Sequence, residues 1–301
     1  MNLGAVILCG GESRRMGQPK AWLPFGPERM LQRVVRLVST VTDQVVVVAA
    51  PGQDLPPLPV SVAVAHDPVR GLGPLQGLAA GLATLWDSVE LAYATATDAP
   101  FLQPGWIRRL VSLIEAHDLA IPECKGCPHP LAALYRRATV LPAIEALLRA
   151  DRLRPVFLIE VLKTRIVAAD ELREVDPELR TLRNLNTPDD YHAALKEAGF
   201  DPEQPTAIVD QKASPRVVIE LFGVPRLRAG VGSLTVEAAT VGEALVALGR
   251  ACPVLLGSVL TGGMLDPAYT VNINGERFVT DPATSLAEGD SLILLTMDVG
   301  G

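Results

Sequence analysis

Cysteine is scarce in this sequence, four in 301 residues: Cys9, Cys124, Cys127 and Cys252. That is too few to staple a chain of this size, which excludes a disulfide framework and fits a reducing compartment. Long apolar runs are absent as well. Stretches such as Val45 to Ala50 fall far short of the roughly 20 residues that cross a bilayer, and Met1, Asn2 and Leu3 lack the basic start of a signal peptide. The expected location is therefore cytoplasmic, with no membrane partner. A surplus of Lys and Arg is missing too, with 27 against 34 Asp plus Glu and a formal net charge of -7. Broad nucleic-acid binding, which needs cations to displace counterions, is excluded as a main role. Repeats and low-complexity segments are likewise lacking, and 49% hydrophobic with 20% charged residues describes an ordinary globular chain, long enough for two domains.

What is present starts with alternation. Through about residue 200, short β-rich runs alternate with longer helical ones, the pattern of parallel strands joined by helical crossovers. Strands are expected at Ala5 to Cys9, Gln44 to Ala50, Val60 to Ala65 and Leu91 to Thr97, each dense in Val, Ala, Leu and Ile as strands buried on both faces are. Helices are expected from about Glu28 to Val41, with Leu31, Val34, Val35, Val38 and Val41 on one face, and from Pro74 to about Trp86. Thr187 reads as a helix cap with Pro188, Asp189 and Asp190 in the first turn. Residues 201–214 are polar and proline-bearing and read as a linker, dividing a front domain, 1–200, from a back domain, 215–301. In the back domain the order is read as ββαββ, with strands Val217 to Phe222, Leu234 to Ala238, Thr270 to Ile273 and Leu292 to Thr296 around a helix Val241 to Cys252. From Arg216 onward there are five Arg, no Lys and nine Asp plus Glu, a net charge of -4. That suits a basic partner, or simply solubility.

The first strand opens into Gly10, Gly11, Glu12, Ser13, Arg14, Arg15, Met16, Gly17, Gln18, Pro19 and Lys20. Glycines without a Cβ let backbone N–H groups approach phosphate oxygens, while the arginines and Lys20 offset the charge of an incoming anion. The loop fits neither GxGxxG nor a P-loop, in which the lysine directly follows a glycine. Asp98 stands at the carboxyl end of an apolar strand before a proline turn, where open α/β sheets bind ligands. A hard cation such as Mg²⁺ prefers carboxylate oxygen; the structural alternative is that Asp98 caps the next turn. In-line attack on an α-phosphorus needs charge neutralisation and alignment rather than a covalent enzyme intermediate. Lys20 and one of the arginine pair, taken as Arg15, are assigned to phosphate charge, and Asp98 with Mg²⁺ to the transfer. Cys124 and Cys127 form a CxxC, but with no second pair at finger spacing only half a zinc site is present, and the pair reads as a coincidence of a loop.

LCGGESRRMGQPKAWL resembles the loop of the molybdenum-cofactor guanylyltransferase family, LAGGxSxRMGxxKxxL. Further segments agree in order: His66 and Asp67 before Gly71 to Gly77; Thr97, Asp98, Ala99, Pro100 and Phe101; His129, Pro130 and Leu131; and Asn184 to Pro188, so that the similarity spans about residues 3 to 198. The resemblance implies a Rossmann-like nucleotidyltransferase three-layer sandwich that joins the GMP part of GTP to the phosphate of molybdopterin and releases pyrophosphate. Carried over, Leu8, Cys9, Gly10 and Gly11 meet the nucleotide, Lys20 its phosphates, Asp67 the guanine end and Asp98 the Mg²⁺. Asn184 and Asn186, alternating in an extended segment, share one side near the pterin, or serve as turn formers before the Thr187 helix. His129 contacts substrate or is structural between its prolines. The chain departs from the family at Val48, where an Asn is common, and at Cys9, where Ala is usual.

Arg216 to Gly301 resembles the small subunit of molybdopterin synthase and the related thiamine sulfur carriers, through VVIELFGVPRLRAG, VNINGERF, LAEGDSLILL and the closing MDVGG. It implies a small α+β ubiquitin-like β-grasp domain. Gly300 and Gly301 then thread a C-terminal carboxylate into an adenylating (MoeB-like) enzyme, and Gly301 brings sulfur to precursor Z inside a complex with the large synthase subunit. The joint expectation is guanylyl transfer in front and sulfur carriage behind. Three alternatives stay open. They are a sugar-phosphate nucleotidyltransferase, whose loop has glycine and threonine before its arginine; a cytidylyltransferase of the same pathway, marked by alanine where Gly10 stands; and a sulfur carrier whose front domain does not turn over.

Overall fold

A computed structural model describes residues 2–10, 16–67, 73–202, 215–261 and 264–297. The chain divides into two compact units, Met1–Leu58 with Val62–Asp210, and Pro59–Ser61 with Gln211–Gly301. Among the described residues no helix is long and apolar enough to cross a membrane.

The first unit is a mixed α/β fold. Its elements are β1 (Leu3–Leu8), α1 (Met30–Ser39), β2 (Val45–Ala49), β3 (Val62–His66), α2 (Pro74–Thr84), β4 (Leu91–Ala96), α3 (Pro104–Ile114), β5 (Leu119–Cys124), β6 (Cys127–Pro128), β7 (Ala133–Arg136), α4 (Arg137–Arg149), β8 (Thr164–Ala168) and α5 (Pro188–Glu197). The sheet runs β8-β5-β7-β4-β1-β2-β3, with β6 paired to β5. Strand residues alternate between two cores. Ala5, Ile7, Val45 and Val47 pack with Leu31, Val34, Val35 and Val38 of α1 and Trp106, Ile107 and Leu110 of α3. Val6, Leu8, Val46 and Val48 face the other way, against Leu75, Leu78 and Leu82 of α2 and Val140, Ile144 and Leu147 of α4. Period-2 strands buried on both sides between period-3.6 helices give three layers.

The parallel-sheet expectation needs one correction. β1, β2, β3 and β4 are parallel, but β7 enters between β4 and β5 antiparallel to both. A four-residue strand joined to β5 through the β6 hairpin has no room for the helical crossover that a parallel neighbour requires.

Two glycines bring α2 close to the sheet. A Cβ at Gly81 would lie 2.3 Å from Val6 Cγ1 and 3.0 Å from Val48 Cγ2, inside the packed core. Gly81→Ala therefore gains about 1 kcal/mol of helix propensity and loses about 1–3 kcal/mol to overpacking. The expected result is a lower urea midpoint with an unchanged slope; a variant as stable as wild type would show that α2 has slack.

The second unit comprises β9 (Arg216–Leu221), α6 (Gly223–Ala229), β10 (Ser233–Glu237), α7 (Val241–Ala251), β11 (Tyr269–Ile273), β12 (Arg277–Val279) and β13 (Ser291–Thr296). Its sheet order is β10-β9-β13-β11-β12, with the central pair β9 and β13 parallel. Val217, Ile219 and Leu221 of β9 and Leu292 and Leu294 of β13 pack against Val241, Ala244, Leu245 and Leu248 of α7. The ββαββ reading lacks α6 and β12. The first lies in the stretch between the two hairpin strands, and the second is three residues long with Phe278 66% exposed, too short and too open to carry a burial pattern.

Candidate functional site

In the order β3-β2-β1-β4 the chain builds outward from β1 and then returns to its other side. The carboxyl ends of β1 and β4 therefore flank a topological switch point, the usual ligand crevice of an open α/β sheet. Leu8 and Ala96 are register partners there, so Cys9 and Gly10 leave one side of the crevice while Thr97 and Asp98 leave the other. Thr97, 4% exposed, ties the corner together: its N–H and its hydroxyl both donate to Leu8 O, at 3.1 and 3.3 Å.

Three distant segments converge on Asp98. Lys20 Nζ donates to Asp98 Oδ2 at 2.7 Å and to Asn186 Oδ1 at 3.2 Å, across separations of 78 and 166 residues. An apolar cluster sets this meeting. Met16 and Leu23 flank Lys20, Phe101 follows Asp98 and Leu185 precedes Asn186, and all four share one core with Phe25, Met30 and Tyr191. Leu185 N–H donates to Asp98 O at 3.0 Å. Asn186 is fixed in turn because Asp190 Oδ2 accepts from the N–H groups of Asn186 and Thr187, at 3.1 and 2.9 Å, while the Thr187 hydroxyl caps Asp190 N–H. The Thr187 hydroxyl foremost, with those two amides, holds the Asp190 carboxyl below its ordinary pKa.

A cavity of about 1180 Å³ opens at this point, large enough for a nucleotide-sized ligand. Leu8, Cys9, Gly10, Lys20, Asp67, Asp98 and Asn184 all line it. Gly11 and Arg15 lie outside the described residues, as do Arg14, Gly300 and Gly301. The amides of Cys9 and Gly10 donate to Val48 O, at 2.8 and 3.2 Å, so these two N–H groups are engaged by β2. Val48 itself is buried, with its side chain in the sheet core.

Sequence reasoning missed several lining residues. Gln53 is the most connected: its Nε2 donates to Cys9 O at 3.2 Å and lies 3.4 Å from Cys9 Sγ, and its Oε1 accepts from Ala50 N–H at 2.9 Å. It ties the end of β2 to the end of β1. A glutamine two residues after a proline carries no sequence signal for that duty. Burial pushes the Cys9 thiol pKa up, with hydrogen bonds from Thr97 and Gln53 opposing, so the thiol stays protonated at neutral pH. Gly17, at φ +68°, and Gly77, whose Cβ position is 3.3 Å from Leu8 Cδ2 and 3.9 Å from Asp67 Oδ2, also line the cavity. His129 is not a lining residue although Leu131 is; burial lowers the imidazole pKa, and its backbone N–H donates to Pro122 O at 2.8 Å.

Asp98 Oδ1 is buried and has no hydrogen-bond partner among the described residues. A carboxylate oxygen without a donor can serve as a ligand of a hard divalent cation. Among the described residues no cluster of three or more His, Cys, Asp or Glu is arranged for a metal.

The sequence matches the MobA-like NTP transferase domain over residues 5–164. A probable molybdenum cofactor guanylyltransferase of Mycobacterium avium (strain 104) is 37% identical over 197 residues, covering 64% of this chain and 95% of that protein. Among solved structures, the molybdopterin-guanine dinucleotide biosynthesis protein A of Archaeoglobus fulgidus shares the fold with a TM-score of 0.53 at 22% identity, over 65% of this chain and 98% of that one. SAMP1 of Haloferax volcanii aligns with 29% of this chain and 99% of its own, at 33% identity and a TM-score of 0.26.

Proposed function

The chain belongs to the MobA-like NTP transferase family, and we propose that its first unit transfers the GMP part of GTP to molybdopterin. That it is a nucleotidyltransferase follows from the family, and its named relatives place it in molybdenum-cofactor biosynthesis. The finer reading rests on one observation: Lys20 and Asp98, which line the switch-point cavity, meet each other and Asn186, with a carboxylate oxygen left over.

In the proposed reaction an oxygen of the molybdopterin phosphate attacks the α-phosphorus of GTP, and the bond to pyrophosphate breaks. Lys20 leaves Asp98 for the triphosphate, exchanging one anionic partner for another and neutralising charge on the departing group. Asp98 is the residue proposed to hold Mg²⁺, which when bound supplies a Lewis acid and a template for the phosphate oxygens. Asn186 and Asn184 stand on the side proposed for the pterin, where amides offer both donor and acceptor. Leu8, Cys9, Gly10, Gly11 and Asp67 are assigned to the nucleotide, and Arg15 to its phosphates. Gln53 is added as the brace that holds Cys9.

For the second unit we propose a β-grasp sulfur carrier. A parallel central pair with antiparallel partners on each side and one helix across the face supports that reading. Gly300 and Gly301 are the proposed acceptor of sulfur, served by a MoeB-like adenylating enzyme and used by the large synthase subunit in the cytoplasm.

The test incubates the protein with Mg²⁺, molybdopterin and each α-labelled nucleoside triphosphate in turn. Label from GTP alone is expected in a molybdopterin dinucleotide. Exclusive use of CTP would defeat the base assignment, and no transfer from any triphosphate would leave the carrier-only reading.

A further inference from the structure

The CxxC lies not in an irregular loop but at the end of a β-hairpin. Cys124 closes β5, Cys127 opens β6, and the two are direct antiparallel register partners. Lys125 and Gly126 form the whole turn, with φ of +53° and +74°, the handedness that two-residue hairpins favour because it matches strand twist. Directly opposed residues project to the same face, with Cα atoms about 4.5–5.5 Å apart. A disulfide spans about 4.4–6.8 Å between Cα atoms. The turn thus sets the two Cα atoms at a separation that a disulfide can span.

We propose that Cys124 and Cys127 are a reversible dithiol–disulfide modification site, oxidised by low-molecular-weight disulfides of the glutathione class. Cys127 is exposed and Cys124 half-buried, which suits the first as the attacking and the second as the resolving thiol. The thiolate of Cys127 attacks one sulfur of the oxidant, forming a mixed disulfide and releasing one glutathione thiolate. The Cys124 thiolate then displaces the second glutathione and closes the intrachain bond. Both protein protons pass to the released thiolates; the cysteine sulfurs are oxidised and the oxidant is reduced. An exposed bridge on a short hairpin remains open to attack by reductant, so the modification is labile rather than structural.

Metal binding is the competing use of such a pair, and the surroundings disfavour it. A closed zinc site takes four ligands, and among the described residues no third His, Cys, Asp or Glu completes a group around these thiols. The hairpin has a further consequence by its position. The bond from His129 N–H to Pro122 O closes its base, and Leu131, four residues past Cys127, lines the large cavity. The cross-link therefore sits on the segment that leads into the cavity wall. This inference does not depend on the transferase reading.

The experiment uses the full chain, reduced, separated from reductant, incubated with glutathione disulfide, acid-quenched, unfolded and alkylated with N-ethylmaleimide. Two of the four thiols are expected to escape alkylation, and the intact mass to equal that of the chain with two maleimide adducts less two hydrogens, with no glutathione. Trypsin cuts after Lys125, between the two cysteines, so its products stay joined until reductant is added. Cys124→Ser is expected to carry a stable glutathione adduct on Cys127 instead, and Cys127→Ser to take up markedly less on Cys124. Four alkylated thiols, stable glutathione on both cysteines of the wild type, or a bridge that includes Cys9 or Cys252 would overturn the proposal. So would one equivalent of Zn²⁺ shielding both thiols of the reduced protein from maleimide.

Discussion

Asp98→Asn is expected to lower kcat for guanylyl transfer by at least ~100-fold while the protein stays folded and still binds triphosphate. The substitution keeps the shape of the side chain and an oxygen that Lys20 can still reach, and removes only the charge. Because the Lys20 and Asp98 side chains are 20% and 16% exposed, loss of the ion pair costs stability about 1–2 kcal/mol at most. Loss of the proposed cation site, by contrast, withdraws charge stabilisation that develops in the transition state, where one missing contact is worth two to three orders of magnitude. Lys20→Met separates the two roles. It is expected to raise KM for the triphosphate as well as lower kcat, since the ammonium is proposed to meet phosphate in both ground and transition states. Steady-state kinetics with varied GTP and Mg²⁺ reads both variants. An Asp98→Asn enzyme within a few-fold of wild type would remove Asp98 from the mechanism and leave its orphaned oxygen to be explained by packing.

The parts of this site that were legible in the sequence are those where local pattern and burial agree. β2 is a run of four valines and an alanine, all buried, and a strand covered on both faces can be read from composition alone. Helix α5 could be placed from its cap because Thr187 and Asp190 satisfy each other's backbone amides within one turn. Between residues 119 and 168 the pattern fails. β5 contains Pro122, β7 has only four residues, and β8 is half-exposed over its first three, so each is recognisable only from its neighbours in the sheet. The convergence of Lys20, Asp98 and Asn186 was not legible for a different reason. It depends on Met16, Phe101 and Leu185 sharing one small core, and nothing local to any of them points to the other two. Gln53 was hidden in the same way: its amide bridges two strand ends, and its neighbours Pro51, Gly52 and Asp54 read as an ordinary turn.

The Cys124–Cys127 pair shows how a spacing changes meaning with its backbone. Four residues of CxxC on a helix or an open loop describe half a zinc site. The same four residues across a two-residue hairpin turn are also a register pair, and the proposed disulfide needs no further ligand. Lys125 decides between these geometries, since a non-glycine residue at positive φ is held there by strand pairing on either side rather than by its own preference.

Gly301→Val is expected to abolish sulfur loading of the second unit and to leave guanylyl transfer within about two-fold of wild type. In the proposed cycle the Gly301 carboxylate attacks the α-phosphorus of ATP, releasing pyrophosphate and forming an acyl-adenylate. Sulfide then displaces AMP and leaves a thiocarboxylate, one sulfur for one oxygen. The reacting carbonyl has to lie extended in a channel narrow enough to exclude water, and a Cβ-branched side chain beside it obstructs that approach while hindering attack at the adjacent carbon. The core of the second unit is built from residues well before the terminus, Val217, Ile219, Leu248, Val271, Leu292 and Leu294 among them, and the variant is expected to melt as wild type does. Mass spectrometry after incubation with a MoeB-like enzyme, ATP and a sulfur donor reads the loading, and the labelled-GTP assay reads the transfer. Wild-type protein that never exchanges oxygen for sulfur would remove the carrier role. A Gly301→Val protein that loses transfer in step with loading would mean that the first unit's chemistry requires the second, and the assignment of two separate activities to one chain would have to be given up.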